Sequence, residues 1–244
     1  MPDTVPPLYS LESCDTVLNE ARRLFSDGRF PVHASVIAAR QTEGRGQHGH
    51  RWVSPVGNLY AAIRLPLSAP FTDFRGPLAV STVIAEALFD AGYTVRIKWP
   101  NDIALKPPEG LWAKCVGSLL ERKGELLVAG IGINVVTHPP VSELRDGAAL
   151  PAGSLAQCGT PPSASELWET IVRRFQTFDA PAFLSRWPTS GETQLLWLHE
   201  RVVLTRRTES VTGTFLGLGP VGELRLQTQD GTASFTDGSL RLSD

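Results

Sequence analysis

KCVGSLLERKGELLVAGIGINV, residues 114–135, reads as two consecutive strands, about 115–122 and 125–136. Glycine weakens a strand interior unless something must lie close against that face. Side chains alternate along a strand, so Gly130 and Gly132 share one face and Asn134 falls on it too. A polar Asn134 in an apolar run needs a partner, either a hydrogen bond inside the core or a ligand. Lys114 enters the first strand, as a solvated strand end or as a cation directed into a cleft. Cys115, beside Val116, Gly117 and Leu119, reads as a small core residue rather than a nucleophile.

Upstream, residues 105–113 hold two prolines and a glycine and predict an exposed hairpin tip. Before them, a strand over 94–98 runs into Lys98-Trp-Pro-Asn-Asp102. That turn gathers a cation, an amide and a carboxylate in five residues, and by itself it reads more simply as a strand-ending turn with a surface lysine. A helix is predicted over 77–91, with Pro77 suited to its first turn and Gly92 to its end. Strands are expected at 58–65 and 33–39, and a helix at 15–27, capped by Asp15 and ended by Gly28. The first ten residues look like an extended lead-in.

Downstream, 137–162 is rich in Pro and Gly. A helix follows over 163–178, where Ser163 and Glu166 have capping-box spacing and Leu167, Ile171, Phe175 and Phe178 form one stripe. The tail alternates in short runs, 202–206, 211–216 and 223–228, separated by Gly219-Pro220 and Asp230-Gly231. This is the pattern of a small all-β barrel. The boundary is placed near residue 193, giving domains 1–192 and 193–244.

Between the strands expected at 33–39 and 58–65 lies Gln41-Thr-Glu-Gly-Arg-Gly-Gln-His-Gly-His-Arg-Trp52. Glycines let backbone N–H groups approach an anion, and arginine binds carboxylate or phosphate bidentately. A mobile surface loop is the plainer reading. No third ligand stands near His48 and His50 to complete a metal site. Among 244 residues, 42% are hydrophobic and 20% charged, which is globular composition. The net charge of −2 argues against a nucleic-acid-gripping chain, so any positive patch is local and suited to a small anion. The odd count of three cysteines fits a reducing cytoplasm. Neither a signal peptide nor a membrane span is expected.

QTEGRGQHGHRW, KWPND, KCVGSLLE and GIGINV, in that order, resemble the biotin–protein ligases. The resemblance covers roughly 15–136. It implies an α+β fold: a mixed sheet with helices, related to class II aminoacyl-tRNA synthetases, followed by an SH3-like β-barrel. It implies two steps, formation of biotinyl-5′-AMP from biotin and ATP, then transfer to a lysine of a biotin carboxyl carrier protein, as in acetyl-CoA or pyruvate carboxylase.

By the same resemblance, Lys114, Arg45 and Lys98 are the catalytic cations, near the reacting carboxylate and the phosphates. Thr16, Gln41, Gly44, Gly46, Gln47, His48, Gly49 and Trp52 belong to the biotin and adenylate pocket. The loop carrying most of them would close over the adenylate. Asn101 and Asp102 would shape the site, Asp102 with Mg2+ alongside ATP. Gly117 would let biotin approach closely, and Gly132 and Asn134 would complete the wall, with Asn134 meeting the nucleotide.

Departures are confined to recognition. The family's early Ser-Thr-Asn stands here as Thr16-Val17-Leu18, and Val17 cannot donate from its side chain. Gln47 and His50 replace frequent arginines, Glu43 a small residue, and no tryptophan lies near Ala152 to stack on adenine. A lipoate–protein ligase is the runner-up. A DNA-binding repressor is not expected, since only about a dozen residues precede the first helix. A homodimer is left open.

Overall fold

A computed structural model describes residues 6–46, 49, 51–140, 149–206 and 209–243. Strands β1 (Leu8–Leu11), β2 (Ser35–Ala38), β3 (Leu59–Arg64), β4 (Val95–Lys98), β5 (Asp102–Leu105), β6 (Ala113–Lys123) and β7 (Leu126–Ile133) form a seven-stranded sheet in the order β1-β2-β3-β7-β6-β5-β4. β1 runs parallel to β2 and the remaining pairs are antiparallel, so the sheet is mixed. Gly124, at φ 57°, makes the tight turn joining β6 to β7.

Alternation sorts the side chains onto two faces. Leu59, Ala61 and Ile63 of β3 enter one core, and Tyr60 and Ala62 enter another. Helix α1 (Val17–Ser26) lies on the second face and buries Val17, Leu18, Ala21 and Leu24. Helices α2 (Gly76–Asp90) and α3 (Ala164–Thr177) cover the first. α2 is apolar nearly all round, because it is wedged between the sheet and α3. Short helices α4 (Ala180–Ser185) and α5 (Thr189–Glu192) follow.

The tail forms a five-stranded antiparallel sheet, β11-β10-β9-β8-β12, from β8 (Arg201–Thr205), β9 (Ser210–Leu218), β10 (Leu224–Thr228), β11 (Gly231–Phe235) and β12 (Ser239–Leu242). This arrangement suits a small barrel-like unit. Residue 193 falls between α5 and β8, and Val202, Phe215 and Leu226 belong to the same contiguous core as Trp99 and Leu195. No helix among the described residues is long and apolar enough to cross a membrane.

Three expectations need correction. The lead-in contains β1, which pairs with β2. β5 lies inside the segment read as a turn and hairpin tip. Thr16, not Asp15, caps α1: Thr16 Oγ1 accepts from Asn19 N at 3.0 Å, while Asp15 receives Thr16 N and two nitrogens of Arg23.

Candidate active site

Strand register builds the site. Lys98 opposes Asp102, Asp102 opposes Gly117, Gly117 opposes Gly132, and Gly132 opposes Tyr60. Directly opposed residues project from the same face of a sheet. A lysine, a carboxylate and two bare glycines therefore form one row on the face that carries α1.

Lys114 joins this row through a β-bulge. Ile103 opposes Val116, but Ala104 opposes Lys114, so Cys115 is the extra residue. Cys115 and Val116 both enter the opposite core, and Lys114 returns to the face of Gly117 and Asp102. In a regular strand a residue three before Gly117 would face the other way. Burial pushes the Cys115 thiol up, and Cys115 Sγ lies 3.6 Å from Ile103 O, as befits a core residue.

Asp102 is the hub. Lys114 Nζ lies 2.6 Å from its Oδ1 and Lys98 Nζ 3.5 Å from its Oδ2. Burial works against its charge, but the ammonium groups of Lys114 and then Lys98 outweigh that and hold the carboxyl below its ordinary range. The turn beneath is fixed by Asn101, whose Nδ2 donates to Ser118 O at 2.6 Å. Trp99 Nε1 donates to Gly222 O at 3.3 Å, tying the turn to the second sheet.

Gln41 begins the glycine-rich loop. Its Oε1 accepts from Val17 N at 3.0 Å and its Nε2 donates to Ser54 Oγ at 3.2 Å, so it clamps the start of α1. Trp52 closes the loop, donating from its backbone N to Gly44 O at 2.8 Å. The Trp52 ring lies across the opposed glycines: a Cβ on Gly117 would come within 2.7 Å of it, and one on Gly132 within 2.5 Å. Lys114 Nζ is 5.5 Å from the ring centroid.

A cavity of about 950 Å³ opens over this row. Thr16, Gln41, Arg45, Gly46 and Trp52 line it from α1 and the loop. Lys98, Asn101, Asp102 and Lys114 line it from β4 to β6, and Gly117, Gly132 and Asn134 from its floor. Five basic side chains (Arg45, Arg51, Lys98, Lys114, Arg206) face two acidic ones (Asp102, Asp237), which favours an anionic ligand although the chain as a whole is acidic. Asn134 is buried, and its Nδ2 donates to Gly153 O at 3.0 Å.

The structure places several of the expected residues away from the cavity wall or against other side chains. Gly44 sits under the loop instead of on the cavity wall, because a Cβ there would lie 2.4 Å from Trp52 O. Gly49 is exposed at φ 77° and does not line the cavity. What approaches Gly117 closely is the Trp52 ring. Gln47 and His48 lie outside the described residues. Asp102 does not fit a dedicated magnesium site: each of its oxygens faces an ammonium, and no group of three His, Cys, Asp or Glu side chains suited to a metal occurs among the described residues.

Sequence reasoning missed Asn19, whose Oδ1 receives Arg45 Nη2 and Arg22 Nη1, each at 2.8 Å. It also missed Asn58, whose Oδ1 collects the backbone N–H groups of Val135, Val136 and Thr137. Arg206 and Asp237, 2.8 Å apart, reach the cavity from the second sheet. An asparagine opening a strand was a visible signal. Nothing local marked Arg206.

Residues 25–137 match the model of the biotin/lipoate A/B protein ligase family. The biotin–[acetyl-CoA-carboxylase] ligase of Paracoccus denitrificans is 29% identical over 218 residues, 80% of this chain and 84% of that protein. The bifunctional ligase/repressor BirA of Bacillus subtilis is 30% identical over 239 residues, 89% of this chain but only 68% of that protein. Among solved structures, the biotin protein ligase of Aquifex aeolicus in complex with biotin and ATP superposes with a TM-score of 0.78 at 26% identity, covering 98% of this chain and all of that one.

Proposed function

The chain belongs to the biotin/lipoate A/B protein ligase family, and from that membership we propose that it activates biotin with ATP and transfers it to a lysine of a biotin carboxyl carrier protein. The observation that carries this reading is the convergence of Lys114, Lys98 and Arg45 on one cavity floored by Gly117 and Gly132.

In the first step a biotin carboxylate oxygen attacks the α-phosphorus of ATP. The bond to the β-phosphate oxygen breaks and pyrophosphate leaves. Both reactants are anionic, so uncompensated repulsion would keep them apart. Lys114 and Lys98, already oriented by Asp102, neutralise that repulsion and the charge that builds on the phosphoryl oxygens. In the second step an unprotonated acceptor lysine attacks the acyl carbon, the acyl–oxygen bond breaks, and AMP leaves. Water must be kept from the mixed anhydride meanwhile. No step is assigned to a protein-held magnesium ion.

The test is direct. Incubated with ATP and biotin, the protein should release pyrophosphate and label a carrier domain. Val17 and Leu18 line the same cavity and place apolar groups where a ureido head would prefer donors, which favours lipoate as the competing acid. Release with lipoate and none with biotin would overturn the assignment.

Arg45 is exposed, and Asn19 Oδ1 aims its guanidinium. Arg45→Ala should speed escape of the acyl adenylate roughly tenfold or more, since a hydrogen bond to a charged group is worth ~1.5–3 kcal/mol. Free adenylate and stray labelling of bystander proteins would report it. Wild-type retention would exclude Arg45 from holding the intermediate.

A further inference from the structure

Biotin and ATP are small enough to enter the active-site cavity whole, but the acceptor is a folded protein that can insert only a lysine. The rest of it must lie against the rim. A second cavity, of about 480 Å³, adjoins the first. Pro100, Leu119, Asp237 and Gly238 line both, so the two meet along that edge. Its size falls among ligand-sized clefts, ~300–1,000 Å³.

Two segments distant in sequence form its walls. On one side are Phe71 and Phe74, ahead of α2, with Pro77 in the first turn of α2 and Leu120 of β6. On the other is Gly222, in the turn between β9 and β10. Gly222 has φ 100°, and a Cβ there would come within 2.9 Å of Phe74 O, so glycine lets the turn lie this close. Trp99 Nε1, donating to Gly222 O at 3.3 Å, holds it in place. Phe74 is 62% exposed, and Val221, the neighbour of Gly222, is 49% exposed. An exposed aromatic beside a ready-made apolar cleft is the usual make-up of a protein-binding hot spot.

Charge says which part of the acceptor comes to the junction. A lysine arrives as an ammonium, and Arg45, Lys98 and Lys114 in the active-site cavity repel it. Asp102 is already held by two ammonium groups. Asp237 is different. Its side chain is 49% exposed, and its partner Arg206 is shared with Glu209 at 2.7 Å. Two carboxylates on one guanidinium leave a net negative charge beside the point where the cavities meet.

We propose that the cleft between Phe74 and Gly222 is the docking site of the acceptor carrier, which lays the apolar residues beside its lysine against Phe74 and passes the lysine ammonium across Asp237 into the active site. This rests on the ligase reading and adds where the third substrate sits. Asp237 is a positioning residue: it draws the ammonium in. The amine then gives its proton to solvent, attacks the acyl carbon and displaces AMP.

The test uses the full chain preloaded with biotinyl-5′-AMP, so that only transfer is read. Two nucleophiles are compared, the carrier domain and hydroxylamine, which is uncharged above neutral pH and needs no docking surface. Phe74→Ser should slow transfer to the carrier ~10-fold relative to hydroxylamine, the loss of one aromatic anchor. The loss should appear as a higher carrier concentration at half-maximal rate. Asp237→Asn should slow the carrier ~3-fold or more relative to hydroxylamine, with the gap closing as salt rises, and Asp237→Glu should recover part of it. Both side chains are exposed enough for the variants to fold, and thermal melts check this.

Wild-type selectivity in either variant, or equal losses with both nucleophiles, would overturn the proposal. So would a wild-type dimer that Phe74→Ser splits while transfer to the carrier is untouched, because the cleft would then join two copies of this chain. A wild type that forms no adenylate would sink the ligase reading and this inference with it. Adenylate formed normally, with Phe74→Ser as selective as wild type, would sink this inference alone.

Discussion

Lys114→Ala is expected to slow acyl-adenylate formation by ~10²-fold or more in a protein that still folds. The fold should survive because Lys114 serves it through the backbone. Its N donates to Pro151 O at 2.7 Å and its O accepts from Gly153 N at 2.9 Å, and alanine keeps both. The side chain is 34% exposed, so truncation opens no sealed void. The rate should suffer because the ammonium is anchored 2.6 Å from Asp102 and is already aimed when charge develops. A cation preorganised in a partly desolvated cavity is worth far more than one recruited from solvent. The pyrophosphate burst measures the step, and Lys114→Arg should recover only part of it, since a planar guanidinium cannot copy a compact ammonium. An undiminished burst in the alanine variant would remove Lys114 from the mechanism.

Strong periodicity made much of the fold legible. Ser163 and Glu166 announce α3, and the capping box is there, with Ser163 N 2.9 Å from Glu166 Oε2 and Glu166 N 3.3 Å from Ser163 Oγ. The alternation of 125–136 predicted that Gly130, Gly132 and Asn134 share a face. Leu18 packs where Gly130 lacks a side chain and Trp52 where Gly132 does. β5 escaped because four residues between a turn and a proline-rich tip carry no period worth counting.

The site was half legible for a similar reason. Motif spacing marked Lys98, Asp102 and Lys114, but a strict two-residue period puts Lys114 and Gly117 on opposite faces. Only the bulge at Cys115 reunites them, and a bulge is a property of the pairing with β5, not of β6 alone. The Arg206–Asp237 pair was invisible for a longer-range version of this cause. It reaches the cavity because the second sheet folds back against the first, and contacts over such separations leave no local pattern.

The largest stability effect is expected at Asp102. Asp102→Asn keeps the shape and removes the charge, leaving two ammonium groups around a neutral amide. The Lys98 side chain is only 5% exposed, so its charge cannot retreat to water as that of Lys114 can. Removing one partner of a buried pair costs ~3–5 kcal/mol, and the lower end applies because Lys114 is half free to turn outward. Urea midpoints at neutral pH measure the loss.

The pH dependence has a definite sign. The Asp102 carboxyl is depressed in the folded protein, so in acid the unfolded chain binds the proton first and stability rises with pH across that window. The advantage of wild type over Asp102→Asn should be complete above about pH 4, the ordinary carboxylate value, and should fade as pH falls through the lower folded value. Adenylation should fall in the same variant, because Lys114 loses the anion that aims it. A variant as stable and as active as wild type at neutral pH would mean that the two lysines are placed by something other than this carboxylate. The row of opposed residues from Lys98 to Gly132 would then no longer explain how the cations are aimed.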